Sequence, residues 1–371
     1  MTVLLVICGF IISINAALIL LFKFNFKNHD QLSEAFEWPF VSILVAARNE
    51  ERHLRNCVQA LLELDYPKEK IQILIGNDDS EDTTQEIIDQ LLLQDSRITS
   101  IKIESDYKGL IAKSNVIAQL AKAAKGEFLA IIDADNTVSR LWLQGMVKPM
   151  LDGADLVSGY TVVRVNSWLH RMQAVDWIGT LFLMKVAADF GFPVSALGNN
   201  MMLRKSTYES MGGFEALGPT KIEDLKMVIA FRKAGLKHVQ IMDFACQATT
   251  EPMKSFWDLL LQRKRWLSGI LKYNPFLSII LIFERLTILV VIIAFMYAVL
   301  NQSQEVAWLG IAMLLMILLE FVKVYQVVFK LKGDLRPLSI VVDQILIALL
   351  NTFALLSLMV SPKVIWKNRN K

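Results

Sequence analysis

The feature that most constrains the fold is an uncharged apolar stretch at the N-terminus. Residues 2 to 22 contain no Asp, Glu, Lys or Arg. A helix of this length, at about 1.5 Å rise per residue, matches the roughly 30 Å hydrocarbon core of a bilayer. Lys23 and Lys27 follow the stretch, whereas a cleaved signal peptide would carry basic residues before a shorter apolar core. The sequence therefore predicts an uncleaved anchor over residues 1–23, with the N-terminus outside and the following body in the cytoplasm.

The composition indicates that polar and apolar residues are segregated along the chain. The 371 residues are 54% hydrophobic, yet they include 36 acidic and 39 basic side chains. This predicts a polar body attached to membrane helices. The net charge of +3 is too small to favour a nucleic-acid partner. Three cysteines and four histidines are scattered, so neither a disulfide framework nor a His-based metal site is expected.

The C-terminal region, residues 276–361, contains three further candidate spans at 286–301, 306–319 and 338–360. If the body is cytoplasmic and all three segments cross, the basic tail at residues 362–371 would end outside, against the positive-inside tendency. Either one segment is re-entrant or interfacial, or the tail is an exception. The sequence leaves both alternatives open.

The segment 251–275 joins the body to this region. From Ser255 to Lys272 it mixes Trp and Leu with three consecutive basic residues, which predicts an amphipathic helix lying in the membrane interface. The alternative is a solvent-facing basic helix that caps the body.

The body, residues 38–250, alternates strand and helix patterns. Strands are predicted at 41–45, 71–75, 98–103, 129–132, 155–163 and 198–203, with helices at 83–93, 113–124 and 167–188. This alternation predicts an α/β fold with a parallel, doubly wound sheet.

Carboxylates follow two of these strands. Asp133 and Asp135 follow the predicted strand 129–132. An acidic loop from Asn77 to Asp82 follows the predicted strand 71–75. Ligands of open α/β sheets bind at such strand ends. Two nearby carboxylates repel each other unless a cation is present, and oxygen ligands suit Mg²⁺ or Mn²⁺. The pattern predicts a metal and diphosphate site, the alternative being a solvated loop after a core strand.

A second acidic pair, Glu223 and Asp224, opens a predicted helix, where the helix dipole favours carboxylates. Ordinary helix-end electrostatics would also explain the pair without any function.

Together these motifs carry a family resemblance. In chain order they are Arg48-Asn49-Glu50 with Asp78 to Asp82, Asp133-Ala134-Asp135, Glu223-Asp224, and Gln262-Arg263-Lys264-Arg265-Trp266, which matches QxxRW. The set, from Val41 to Trp266, resembles the membrane-bound branch of the inverting family 2 glycosyltransferases, which includes ceramide glucosyltransferase and the chitin-oligosaccharide, hyaluronan and cellulose synthases. Asn77 departs from the aspartate that usually starts the second loop, and Ile222 stands where the family often has Thr.

The resemblance implies a GT-A fold, Rossmann-like and doubly wound, that transfers a sugar from a nucleotide-sugar, a UDP-sugar, with Mg²⁺ or Mn²⁺. Asp224 would be the catalytic base, Asp135 would ligate the metal, and Asp133 would hold the ribose or share the metal. The remaining roles implied are framing of the uracil by Ala47, Arg48, Glu50 and Asp78, compensation of the diphosphate charge by Lys113 and Arg265, and acceptor binding by Glu223, Gln262 and Trp266.

Some of these residues also fit roles without catalysis. Arg265 and Trp266 suit a membrane-interface anchor pair, and Lys113 suits a surface helix.

The acceptor is the part of the reaction about which the sequence is least informative. QxxRW occurs in lipid-modifying and in processive enzymes, but a channel for a growing chain needs several packed helices and few spans follow the body. Trp168, Trp177 and Phe182 are expected to lean on the bilayer beside the site. A membrane lipid or lipid-linked acceptor is therefore expected, the alternatives being a processive polysaccharide synthase and a non-catalytic membrane scaffold.

Overall fold

The computed structural model describes residues 2–29, 37–220, 222–331 and 337–361. The predicted basic tail, residues 362–371, lies outside them. The chain divides into two compact units. We call them the helical unit, formed by Met1–Phe26, Val165–Val186 and Pro252–Lys371, and the sheet unit, formed by Lys27–Arg164 and Ala187–Glu251.

The strands found among the described residues lie in the sheet unit. In chain order they are β1 (Val41–Ala47), β2 (Ile71–Asn77), β3 (Ile98–Lys102), β4 (Phe128–Asp133), β5 (Asn136–Val138), β6 (Leu156–Ser158), β7 (Tyr160–Val163), β8 (Asn200–Arg204), β9 (His238–Gln240) and β10 (Gln247–Thr250).

The helices are distributed over both units. They are α1 (Thr2–Phe24), α2 (Leu54–Leu62), α3 (Thr84–Gln94), α4 (Ala112–Ala123), α5 (Trp142–Leu151), α6 (Trp168–Asp189), α7 (Lys205–Ser210), α8 (Gly213–Leu217), α9 (Glu223–Lys233), α10 (Phe256–Tyr273), α11 (Pro275–Leu300), α12 (Val306–Lys330) and α13 (Pro337–Val360).

The main sheet has the strand order β3-β2-β1-β4-β8-β6-β9. Its interior strand β1 pairs in parallel with β2 on one side and with β4 on the other, so the direction of winding reverses between β1 and β4. Ligands of open α/β sheets bind outside the carboxyl ends of the strands at such a reversal. Ala47, Asn77 and Asp133 end these three strands at the same edge.

Both faces of the sheet are covered by apolar side chains. Side chains alternate along a strand, so Val41, Ile43 and Val45 of β1 join the core under α2 and α3, whereas Leu44 joins the core under α4 and α9. Burial on both faces explains why β1 and β4 are almost continuously apolar.

One strand departs from the predicted all-parallel arrangement. β8 runs antiparallel to both β4 and β6, so the sheet is mixed. The apolar pattern of a strand buried on both faces does not encode its direction, which depends on the intervening connection. The α/β doubly wound class is nevertheless confirmed.

The predicted strand 155–163 is two strands in two different sheets. β6 belongs to the main sheet, whereas β7 pairs with β10 in a second sheet of order β5-β10-β7. The break occurs at Gly159, whose N–H donates to the carbonyl oxygen of Asn200 at 2.9 Å. A Cβ at Gly159 would lie 2.5 Å from the Asn200 side-chain amide, so this close approach requires glycine.

The buried side chain of Asn200 ties the two sheets to α5. Its Oδ1 accepts from Trp142 Nε1 at 2.9 Å, and its Nδ2 donates to the carbonyls of Tyr160 at 2.8 Å and Cys246 at 3.1 Å. Sequence patterns did not predict α5, β5, β9 or β10, because these elements are short or lack a clear period.

The helical unit contains the candidate membrane spans. Among the described residues, Thr2–Phe24, Val306–Lys330 and Ile340–Val360 are long and apolar enough to cross a bilayer, whereas the apolar helix Leu286–Leu300 is shorter. The predicted segment 306–319 was therefore too short. Helix α12 continues past residue 319 although charged residues follow. Lys323 contacts Glu320 and donates to Asn15 Oδ1 at 2.6 Å, so these charged side chains have partners inside the unit.

Most of α6 belongs to the helical unit, although the predicted body, residues 38–250, included it. The expectation that Phe182 leans on the bilayer is wrong. Phe182 is fully buried and stacks on Phe22 of α1, with ring centres 4.9 Å apart. Trp168 is exposed, whereas Trp177 packs against α10 as described below.

Replacing Asn200 tests the connection between the sheets. Asn200→Ala removes three hydrogen bonds and leaves the buried Trp142 Nε1–H without its acceptor, so we expect a loss of about 3 kcal/mol. The apparent melting temperature of the purified protein should fall by several degrees. Asn56→Ala, at an exposed helix position, is the matched control and should change it little; equal melting temperatures for the two variants would contradict this role.

Candidate functional site

The loops after β1 and β2 are joined by hydrogen bonds. The Asp78 N–H donates to the Ala47 carbonyl at 2.9 Å, and the buried Arg48 guanidinium donates to the carbonyls of Asp78 and, at 3.0 Å, of Asp79. The structure thus brings Ala47, Arg48 and Asp78 together. Because Asp78 is also buried, these loops form a preorganised wall at the sheet edge.

Glu50 and Asn77 have definite structural roles in this wall. The Glu50 N–H donates to Thr84 Oγ1 at 2.8 Å. Asn77 Oδ1 accepts from the Ser80 N–H at 3.1 Å, while its Nδ2 donates to Gln85 Oε1 at 2.7 Å. An ionised aspartate could not donate this last hydrogen bond, which accounts physically for asparagine at this position.

Asp133 and Asp135 flank the crossing from the main sheet to the second sheet. Asp133 ends β4, and Ala134 and Asp135 form the turn that leads into β5. The Asp133 side chain is 36% exposed, so one carboxylate remains accessible while held by secondary structure. Beneath it the buried Cys57 thiol faces the Asp133 carbonyl at 3.5 Å. Burial, together with the Asp135 and Asp133 carboxylates, raises the pKa of Cys57 far above its ordinary range, which excludes thiolate chemistry here.

Lys113 links the two acidic motifs. Its Nζ contacts Asp133 Oδ1, lies 3.7 Å from Glu223 Oε1, and donates to the Gly198 carbonyl at 2.7 Å. Burial alone would lower the pKa of Lys113, but the carboxylates of Asp133 and Glu223 outweigh it and raise the pKa above the ordinary value of 10.5. Lys113 is therefore a charged group in the interior of the site and not a surface lysine.

Asp224 is held by the same loop. Its Oδ2 accepts from the Gly198 N–H at 3.1 Å, and its Oδ1 accepts from the Leu225 N–H at 2.8 Å. Glu223 is buried, whereas Asp224 is half-buried at the start of α9. The predicted placement of both carboxylates in the first helical turn is confirmed. A continuous series of contacts thus runs from Asp133 through Lys113 and Gly198 to Asp224.

Gly198 is a site residue that the sequence did not identify. A Cβ at this position would lie 3.1 to 3.3 Å from atoms of the Asp224 side chain, so a larger residue would press on that carboxylate. The segment Gly198-Asn199-Asn200 was the only local sequence feature at this position, and from it we predicted the start of a strand and no role in the site.

Several backbone positions at this edge are strained. Asn49, Asp79 and Ala112 have φ angles of 52°, 55° and 51°, in the left-handed region. Asn and Asp tolerate this conformation, but alanine adopts it at a cost of about 1 kcal/mol or more. Ala112 precedes Lys113 directly, so the strain lies where the lysine must be aimed at the carboxylates.

The QxxRW residues lie on α10 in the helical unit. Gln262, Arg265 and Trp266 are half-buried. The Trp266 ring packs edge-on against Trp177, with centres 5.3 Å apart, and lies 4.3 Å from the Arg263 guanidinium carbon. Arg263 and Lys264 are buried, so they do not form the solvent-facing basic surface of the alternative interpretation.

The charge of Lys113 can be tested by substitution. Lys113→Met leaves Asp133 and Glu223 without their cation, and we expect a loss of about 2 kcal/mol at pH 7. Because the pKa of Lys113 is raised in the folded state, its contribution is complete below the ordinary lysine value and is lost only as the pH rises through the folded value. The melting-temperature difference from the wild type should therefore stay constant from pH 6 to pH 9.

A lysine whose pKa was depressed by burial would behave differently. The wild type would then gain stability relative to Lys113→Met as the pH rises through the depressed pKa, so the difference would change within this pH range, which would contradict the ion-pair assignment. Lys102→Met, at a lysine whose side chain is 68% exposed, is the matched control and should cause little change at any pH.

Two comparisons with known proteins concern sequence. The chain is similar to the probable glycosyltransferase YdaM of Bacillus subtilis, at 25% identity over 240 residues, 63% of this chain and 56% of that protein. It is also similar to the beta-monoglucosyldiacylglycerol synthase of Trichormus variabilis, at 26% identity over 239 residues, 62% of this chain and 49% of that protein. The chain thus matches about half the length of these curated relatives.

A third comparison concerns structure. The mannosyltransferase PcManGT from Pyrobaculum calidifontis, solved in complex with GDP-Man and Mn²⁺, aligns with a TM-score of 0.58 over 99% of this chain and 100% of that chain. At 16% identity this likeness shows the fold alone, and it confirms the predicted GT-A class.

The family model described as glycosyl transferase family 21 matches residues 4–370. This range includes the sheet edge, the acidic helix start and the QxxRW helix. The resemblance to glycosyltransferases drawn from the motifs is therefore confirmed, and the protein belongs to glycosyl transferase family 21.

Proposed function

We propose that the protein transfers a sugar from a nucleotide-sugar donor, a UDP-sugar, to a membrane lipid, with inversion at the anomeric carbon. The observation that supports this best is the series of contacts Asp133–Lys113–Gly198–Asp224. In this series the buried ammonium group of Lys113 lies between Asp133, a carboxylate suited to binding the donor, and Asp224, a carboxylate suited to acting as the base. Both lie at the strand edge where α/β sheets bind ligands.

The donor would lie along the carboxyl edge of β1, β2 and β4. The uracil would rest against Ala47, Arg48, Glu50 and Asp78, whose loops are already fixed by the hydrogen bonds described above. Fixed loops reduce the entropy lost when a ligand binds. Lys113 and Arg265 would compensate the diphosphate charge.

A divalent cation fits the available ligands. Within the described part of the chain no group of three or more Asp, Glu, His or Cys side chains could hold a metal. Asp135 and Asp133 would therefore supply two carboxylates, and the diphosphate would supply the rest. Mg²⁺ binds in this way, and the solved mannosyltransferase is a complex with Mn²⁺. When bound, the ion would neutralise charge on the departing diphosphate.

Asp224 would act as the base. It removes the proton from the acceptor hydroxyl as the oxygen attacks the anomeric carbon, and the bond to the nucleoside diphosphate breaks on the opposite face. The hydrogen bonds from the Gly198 and Leu225 N–H groups leave each carboxylate oxygen a further lone pair. Glu223, Gln262 and Trp266 would bind the acceptor.

A lipid acceptor is supported by features outside the sheet unit. Among the residues that the structure describes, three helices are long and apolar enough to cross a membrane. One family of relatives is named for the synthesis of a glucosyldiacylglycerol, a lipid. We propose a multi-pass protein of the cell membrane whose catalytic unit is cytoplasmic, as the basic residues after α1 favour.

The product distinguishes a single transfer from the processive alternative. Purified protein incubated with a labelled UDP-sugar, extracted membrane lipids and Mn²⁺ or Mg²⁺ should form a discrete glycolipid that enters the organic phase. Removal of the divalent cation by EDTA should abolish the reaction. A ladder or high-mass glycan would instead favour a polysaccharide synthase, and neither transfer nor donor hydrolysis would favour a non-catalytic scaffold.

The role of Asp224 is tested by an isosteric change. Asp224→Asn keeps the shape and one of the two backbone hydrogen bonds but removes proton affinity, so transfer should fall at least about a hundredfold while donor binding persists. Binding is measured by calorimetry with the nucleotide-sugar and transfer by the glycolipid assay. Asp152→Asn, at an exposed position, should retain both; a parallel loss of binding and transfer in Asp224→Asn would show a structural role.

A further inference from the structure

The inference concerns a buried ion pair behind the QxxRW helix. Asp176 on α6 and Arg263 on α10 are both buried, and Asp176 Oδ2 lies 2.5 Å from Arg263 Nη2. Both residues belong to the helical unit. Neither is one of the three residues that define QxxRW.

Burying such a pair is costly. Each ion loses several kcal/mol of hydration, and apolar residues of similar size would often stabilise the protein as well or better. A buried pair is therefore best explained where a fixed geometry is needed. Removal of one partner leaves an uncompensated charge and disturbs whatever the pair orients.

The pair is directly connected to Trp266. The Arg263 guanidinium carbon lies 4.3 Å from the centre of the Trp266 ring, and Trp177, next to Asp176 on α6, meets the same ring edge-on at 5.3 Å. The indole is thus held on two sides by groups that depend on the contact between α6 and α10. A cation over an aromatic face attracts the ring more strongly when both groups are removed from water.

The same pair sets the rotation of α10. At 3.6 residues per turn, Gln262 and Trp266 lie on one face of the helix, with Arg263 at one border of that face and Arg265 at the other. Fixing Arg263 against Asp176 fixes the rotation of the helix. The directions of Arg265 and Trp266 follow from that rotation.

We propose that Asp176 is a positioning residue for sugar transfer. Through Arg263 it orients α10 so that Trp266 and Arg265 are presented to the reactants. This inference rests on the proposed function, since it concerns the acceptor side of that reaction. It adds a residue that the motif does not contain.

The chain provides a matched control on the same helix. Arg171 of α6 forms a second ion pair with the buried Asp343 of α13, with Nε 2.8 Å from Oδ2. Asp343→Asn therefore breaks an ion pair of α6 that does not involve α10. A purely structural role for Asp176 predicts that both variants behave alike.

The experiment measures melting temperature, donor affinity and the kinetics of transfer to lipid for Asp176→Asn, Asp343→Asn and the wild type. Asp176→Asn should raise the acceptor KM and lower kcat/KM for the acceptor at least tenfold. The donor dissociation constant, to which Arg265 contributes together with Lys113 and the loops after β1 and β2, should rise by a smaller factor. Asp343→Asn should lower the melting temperature without changing the acceptor KM. Arg263→Gln combined with Asp176→Asn should be no worse than the poorer single variant, because both act through one contact.

A second variant covers the case in which Asp176→Asn does not fold. Asp176→Glu keeps the charge but lengthens the side chain, so it should fold and still raise the acceptor KM. If the Asp176 variants changed only the melting temperature, as Asp343→Asn does, the inference would be wrong while the proposed function stood. If the wild type transferred no sugar to lipid, both would be overturned.

Discussion

The candidate site depends on one electrostatic arrangement, the buried ammonium of Lys113 among carboxylates from different elements. Asp133 comes from the end of β4 and Glu223 from the start of α9, and these two would repel each other without a cation between them. The same ammonium donates to the carbonyl of Gly198, and the N–H of Gly198 donates to the Asp224 carboxylate. Charge compensation and backbone positioning are thus combined in one side chain, and the strained φ of Ala112 lies directly before it. A diphosphate and a divalent cation entering this edge would meet groups already fixed in place.

The sequence predicted the parts of this site that have a local signal. The strands that carry Ala47, Asn77 and Asp133 are continuous apolar runs followed by polar loops, and the carboxyl ends of parallel strands must share an edge. The helix start at Glu223 has its carboxylates where the dipole favours them. For these residues, strand and helix patterns together with motif order were sufficient to place the sheet edge.

What the sequence did not predict depends on tertiary contacts. The antiparallel direction of β8 and the division of residues 155–163 between two sheets depend on Gly159 approaching Asn200, which no local pattern reveals. Phe182, expected at the bilayer, is buried because α6 packs against α1 of the helical unit. In sequence, Arg263 and Lys264 resemble part of a solvated basic stretch. In the structure both side chains are buried and Arg263 pairs with Asp176, so neither forms part of the exposed surface of α10. In each case, partners distant in sequence override the local pattern.

The most direct test is photo-crosslinking of the full-length protein with a 5-azido-UDP-sugar, whose reactive group lies on the uracil. If the base rests between the loops after β1 and β2, the modified peptides should contain residues 47–51 and 77–82. Excess unlabelled UDP should suppress this labelling. Crosslinks confined to the amino ends of the same strands, or to the helices of the other unit, would contradict donor binding at the carboxyl edge of the sheet.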